Sequence, residues 1–306
     1  MIENDYIIQA TNSVFAEKQF KIATVEQANE DAFMSDAQFS DVKYQLKSCI
    51  FDLQKAKAFD DEKSVARLEE KRDELVDRLN AIKKELKVSL LTYQPTCSVC
   101  GDSGFIDGKR CGCYYKTMNT IAYRHLGIKE PRLHSFCDNT LSDEITTKRI
   151  EKFTSYADKL SPTSKNLLFF GERGTGKTFF AECIADRVNG SGKNALFINA
   201  FQLNDIFLSM TGSPIKDAMT VKQILIGCDL LVIDDLGAAT VLKKITAENL
   251  LMIISERVAL TKPFIVTTNL TLGEINEKFD ERIFSRMCGK TTVKIRFEGK
   301  DLRLSD

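Results

Sequence analysis

Eight residues carry the plainest chemistry in this chain: Gly171-Glu172-Arg173-Gly174-Thr175-Gly176-Lys177-Thr178. They fit G-x-x-x-x-G-K-[ST], a loop that cradles phosphate with successive backbone N–H groups. Its glycines let the backbone pass close to an anion, and the helix that follows presents its N-terminus to the same charge. In such a loop Lys177 reaches the β- and γ-phosphates and Thr178 ligates Mg²⁺. The neighbours suit the motif, with an apolar run at Asn166–Phe170 before it and a helix-compatible run at Phe179–Val188 after it.

Three further groups of residues could serve the same chemistry. Leu230-Leu-Val-Ile-Asp234-Asp235 is a continuously apolar stretch ending in acids. A buried parallel strand whose carboxyl end meets a nucleotide crevice reads this way. Asp234 is then the Mg²⁺ partner, and Asp235 orients or deprotonates an attacking water. Pro263–Asn269 is a second apolar strand with a polar end, where Asn269 could bond the γ-phosphate or the water. Arg282 and Arg286 share one helical face; a guanidinium there could stabilise phosphoryl charge, or both could be solvated.

A separate cluster is Cys97, Cys100, Cys111 and Cys113, spaced C-x₂-C-x₁₀-C-x-C. Four thiolates this close can close a tetrahedral zinc site, and a closed site is structural. A reduced, metal-free loop is the alternative. His125 and His134 lie just beyond, and either could replace a cysteine as ligand.

These residues must be positioned by a chain of 306 residues, long enough for two domains. With 43% hydrophobic and 28% charged residues it reads as soluble and globular. Formal net charge is zero, which excludes a generally basic nucleic-acid coat but not a local patch. No apolar run is long enough to span a bilayer. Met1–Tyr6 lacks a basic region followed by an apolar stretch, so a cytoplasmic location is expected. Nine cysteines without an export signal point to metal or free thiols.

Residues 1–93 read as a helical region. Val65, Arg72, Leu79 and Leu86 repeat every seven, and Leu68, Leu75 and Ile82 are offset by three, an amphipathic seam expected to run until Pro95. The seam either closes a local hairpin or meets a partner chain. Residues 94–125 hold the zinc knuckle, with Phe105-Ile106 as half of a hairpin and a helix from Met118. Residues 126–165 are a linker and a leading helix from Thr140, where Phe136 and Leu141 could pack against adenine. Residues 166–306 are the nucleotide domain, an α/β parallel sheet flanked by helices, with helices at Gln202–Met210, Ile215–Gly227, Thr246–Leu260 and Asp280–Met287 and a last strand at Thr292–Phe297.

Taken together, the phosphate loop, the Leu230–Asp235 strand, Asn269 and Ser285-Arg286 resemble an AAA+ P-loop ATPase. Leu-Val-Ile-Asp234-Asp235-Leu-Gly and Glu281-Arg-Ile-Phe-Ser-Arg286, with the short end after Phe297, resemble DnaC/DnaI-type helicase loaders and their IstB relatives over about residues 130–306. The resemblance implies ATP, Mg²⁺ and zinc as cofactors, Arg286 as an arginine finger acting on a neighbour's ATP, and Arg303 as a sensor-2-like arginine. It implies no C-terminal lid, a homo-oligomer assembled with ATP, and a DnaB-type replicative helicase and single-stranded DNA as partners. Lys243, Lys244, Lys290, Lys294 and Arg296 are the scattered basic residues that could meet DNA. An IstB-like transposition regulator acting on duplex DNA and a nucleotide-gated adaptor with little hydrolysis are the competing readings.

Overall fold

The computed structural model describes residues 5–59, 61–86, 88–141, 143–210, 214–237, 244–299 and 301. The chain packs as two compact units: Phe15–Asp102, and the chain on either side of it.

The first unit is helical. Helix α1 (Asp5–Met34), whose residues before Phe15 belong to the other unit, runs through a stretch without glycine or proline, followed by α2 (Ala37–Ala58) and α3 (Glu62–Glu85). Asp36 and Asp61 cap α2 and α3 by accepting Phe39 N and Ser64 N. Phe39, Val42, Leu46, Cys49 and Leu53 recur at three and four along α2, and most of them close against Leu75 and Leu79 of α3. The predicted seam therefore packs within a helical hairpin. Arg72 is turned outward and pairs with Asp73.

Helix α3 ends at Glu85, well before Pro95. The reason lies far away in sequence. Asn29 of α1 donates to Leu91 O at 2.8 Å and accepts Leu91 N at 2.8 Å, so its amide holds that segment extended as a strand partner would. Further on, Asp102 is buried at a left-handed φ of 62°. Its carboxylate accepts Thr96 N, Cys97 N, Lys18 Nζ and Tyr93 Oη. Burial alone would raise its pKa, but these donors outweigh burial and hold the carboxyl well below the usual range.

The second unit carries a small antiparallel hairpin, β1 (Phe105–Ile106) with β2 (Lys109–Arg110). Asp107 and Gly108 both have positive φ, as a two-residue hairpin turn requires. Helix α4 (Gly112–His125), a 3₁₀ turn (Phe136–Asp138) and α5 (Glu144–Asp158) lead to the main sheet. The sheet elements follow in alternation: β3 (Asn166–Gly171), α6 (Lys177–Gly190), β4 (Ala195–Asn199), α7 (Ala200–Ser209), α8 (Ile215–Gly227), β5 (Leu230–Asp234), α9 (Lys244–Ala259), β6 (Phe264–Thr268), α10 (Leu272–Lys278), α11 (Glu281–Met287) and β7 (Thr292–Phe297).

All five strands are parallel, in the order β4-β5-β6-β3-β7. Their near-continuous apolar runs suit strands covered on both faces. Behind the phosphate loop, Phe153 of α5 packs on Phe169 and Phe180, and both of those meet Phe297. This cluster fixes α5, β3, α6 and β7 together.

Several features went beyond the sequence expectation. Helix α5 starts at Glu144, capped by Asp143, and α4 begins six residues before Met118. The helix expected at Asp280–Met287 is preceded by a separate α10, whose capping box Thr271/Glu274 was visible as Thr-x-x-Glu. Helix α4 also closes the sheet. Tyr123 Oη accepts Phe197 N at 2.8 Å and donates to Phe197 O at 3.1 Å, while Asn119 Nδ2 donates to Ala195 O. Strand β4 is an edge, and these side chains pair the backbone groups it would otherwise leave open.

Candidate nucleotide site

The carboxyl ends of β3, β5 and β6 meet at one cavity of about 990 Å³. Its wall includes Arg173–Thr178, Asp234, Asp235, Thr267 and Asn269. Sequence reasoning had named all of these except Thr267.

The loop's shape depends on three glycines, all at positive φ, with Gly176 at 90°. Gly171 has φ 121°, and a Cβ there would lie 2.2 Å from Phe297 O. Gly174 has φ 70°, and a Cβ there would lie 1.8 Å from Asp301 Oδ1, so the Asp301 carboxylate rests on the loop itself. Thr175 Oγ1 closes the turn onto Glu172 O. Lys177 is buried, and its ammonium donates to Gly171 O at 2.9 Å and to Glu172 O. Gly171 and Glu172 thus act through their carbonyls; the Glu172 side chain accepts Gly299 N at 3.2 Å.

The acids at the end of β5 are differently held. Thr178 Oγ1 donates to Asp234 Oδ1 at 3.0 Å, and Thr267 Oγ1 donates to the same oxygen at 2.6 Å. Asp234 is buried. That burial pushes its carboxyl pKa up, against the pull of the Thr267 and Thr178 hydroxyls. Among the described residues no lysine or arginine pairs with it. A buried carboxylate beside a loop threonine, without an internal cation, has the donor chemistry for Mg²⁺.

Asp235 sits at φ 54°, the left-handed region, which is strained for a residue with a Cβ. Its backbone N donates to Thr267 Oγ1 at 2.8 Å, and its Oδ1 accepts Asn269 Nδ2 at 2.8 Å. Thr267 therefore joins the two acids. The polar Thr267-Thr268-Asn269 ending of β6 was the available signal.

The remaining candidates are elsewhere. Arg282 is clamped by Asp280 through Nε–Oδ1 at 2.9 Å and NH2–Oδ2 at 3.1 Å. Among the described residues Arg286 bonds Arg282 O, at 3.2 Å. Neither lines the cavity of its own chain. Arg303 and Lys243 lie outside the described residues. Leu141 lines the cavity, whereas Phe136 packs against the core behind the loop.

The Cys97, Cys100, Cys111 and Cys113 sulfurs all lie within 4.8 Å of one another. Four soft thiolates at that separation fit a zinc ion. His134 is engaged with Glu182, and His125 stacks near Tyr6, so the cysteines form the donor set without them. Among the described residues no helix is long and apolar enough to cross a membrane.

A search of curated proteins finds no match. Among solved structures, AMPPCP-bound DnaA from Aquifex aeolicus is similar at 18% identity and TM-score 0.46, over 55% of this chain and 51% of that one. The chain thus spans about half the length of that DnaA structure. The DnaI structure is similar at 20% identity and TM-score 0.45, over 58% of this chain and 92% of that one. The DnaC helicase loader is similar at 20% and 0.45, over 54% and 96%. IstB-like ATP binding proteins match residues 131–291, just over half of the 306, and the chain belongs to this family of ATP-binding proteins.

Proposed function

We propose that this protein hydrolyses ATP and acts as a loader for a DnaB-type hexameric helicase on single-stranded DNA. The observation that carries the hydrolytic reading is the single cavity shared by Lys177, Thr178, Asp234, Asp235 and Asn269. Lys177 leaves its loop carbonyls to neutralise charge on the β- and γ-phosphates. Asp235 accepts a proton from the attacking water as its oxygen bonds to the γ-phosphorus and the bond to the ADP oxygen breaks. Asn269, already on Asp235, holds that water in line. Thr178 and Asp234 would hold Mg²⁺, which would supply further neutralisation of the phosphates when bound. Arg286, free of the clamp that holds Arg282, is the finger offered to a neighbouring chain's ATP.

The partner reading rests on the resemblance to DnaC/DnaI-type loaders, together with the helical front end and the cysteine cluster. It is tested with the full-length chain and the replicative helicase of the same cell. The two are expected to co-elute in size-exclusion chromatography, more strongly with ATP, and the complex to prefer single-stranded over duplex DNA in fluorescence anisotropy. Absence of co-elution in every nucleotide state rejects the loader. Preference for duplex DNA instead supports the transposition-regulator reading.

Zinc is expected in the cysteine cluster. Protein purified under reducing, chelator-free conditions should contain about one zinc per chain. Replacing Cys111 or Cys113 by Ser should remove it, and a metal-free preparation would leave the cysteines as a reduced loop.

A further inference from the structure

We propose that Arg149 binds the phosphate chain of the nucleotide, as a cation supplied from outside every recognised motif of the site. The inference rests on the ATP reading and assigns a residue that no phosphate-loop or strand-end pattern points to.

Arg149 lies on α5, the helix that precedes the sheet, and lines the same cavity as Arg173–Thr178. Its guanidinium carbon stands 4.2 Å from the centroid of the Phe297 ring. Phe297 pairs in register with Gly171, and its carbonyl accepts Glu172 N at 3.1 Å. The guanidinium is therefore stacked on the residue that lies beside the first position of the phosphate loop and accepts the backbone N–H of the second, on the wall of the cavity that the loop lines.

Among the described residues no ion pair holds this charge, although the Asp143 carboxylate on the same wall favours it through space. Asp143 and Glu298 both line the cavity, and both bond other groups. Asp143 caps α5 by accepting Thr146 N at 2.9 Å. Glu298 pairs with Arg296 Nε at 2.8 Å. Among the described residues the hydrogen bond that Arg149 makes is a long one, NH2 to Arg296 O at 3.4 Å. An arginine has five N–H donors in a rigid fork, so most remain available. Partial burial also disfavours its charge, which an anionic ligand would relieve. A planar fork matches two phosphate oxygens far better than it matches a neutral base edge.

The position on Phe297 also has a packing role, so the test separates charge from packing. Arg149→Met keeps the stem on the ring and removes the cation. Affinities for ATP, ADP and AMP are measured by displacement of a fluorescent ATP analogue, with thermal unfolding as the control for folding. Arg149→Met is expected to weaken ATP by about tenfold or more, ADP by less and AMP least, as loss of a charged hydrogen bond to the distal phosphates predicts. Arg149→Lys should recover much of the loss. Equal weakening of all three nucleotides, or unchanged ATP affinity in a folded Arg149→Met, overturns the assignment. If the unaltered protein binds none of them, the ATP reading fails as well, and that outcome is distinct from the other two.

Discussion

Asp235→Asn is expected to lower ATP turnover by about 100-fold or more, with ATP affinity nearly unchanged. The substitution keeps the shape of the side chain. Its amide oxygen can still accept Asn269 Nδ2, the bond that Asp235 Oδ1 makes at 2.8 Å. Asparagine also tolerates the left-handed backbone that Asp235 adopts at φ 54°, so no new strain is introduced. What is lost is the base. An amide cannot take the proton from water, and the step stalls with the nucleotide in place. Asp234→Asn should behave differently. Asp234 receives the Thr178 hydroxyl at 3.0 Å and is the proposed Mg²⁺ ligand, so its loss should weaken Mg²⁺-dependent binding as well as turnover. Phosphate release and equilibrium nucleotide binding, measured on both variants, separate the two acids. Undiminished turnover in Asp235→Asn would remove Asp235 from the base role and leave Asn269 bonded to a residue of purely structural use.

The parts of this fold legible in the sequence are those with local causes. The apolar runs at 166–170, 230–233 and 264–266 are strands because they must be buried on both faces, and the phosphate loop is a spacing rule. The cysteine cluster is legible for the same reason. What stayed hidden depends on which elements become neighbours. Thr267 joins Asp234 to Asp235 only because β6 lies beside β5, and strand order is not written in any one strand. Tyr123 and Asn119 close the edge of β4 only once β4 is known to be an edge. The early end of α3 is set by Asn29, which is 62 residues from Leu91. Arg149 enters the cavity wall by stacking on a strand that arrives long after it in sequence. Arg257 is the extreme case, because its partners are backbone carbonyls and the Cys228 sulfur, and no acidic residue marks them in the sequence.

Arg257→Leu is expected to destabilise the sheet-bearing unit by roughly 4 kcal/mol or more, at the top of the range for single substitutions. Arg257 is on α9 and is fully buried. Its NH1 donates to Leu225 O at 2.8 Å, Ile226 O at 3.0 Å and Cys228 O at 3.1 Å, and its NH2 donates to Pro263 O at 2.6 Å. The first three are carbonyls at and just past the end of α8, where a helix concentrates negative potential. One cation thus terminates α8 and fixes the loops that start β5 and β6, the two strands carrying Asp234, Asp235 and Thr267. Among the described residues no carboxylate pairs with it, so the carbonyl dipoles, with the Cys228 sulfur that NH1 also meets at 3.2 Å, carry the compensation for its burial. Leucine fills part of the volume but leaves several buried acceptors without donors, each costing about 1–3 kcal/mol. Arg257→Lys keeps the charge, yet a compact ammonium cannot span from the α8 carbonyls to Pro263 O, and an intermediate loss is expected. The chain has no tryptophan, so unfolding in denaturant is followed by circular dichroism. A loss below about 1 kcal/mol for Arg257→Leu would mean that water reaches these carbonyls and that the arginine is dispensable to the sheet. A large loss would also account for reduced ATP binding in this variant, since the acids at the strand ends depend on where β5 and β6 begin.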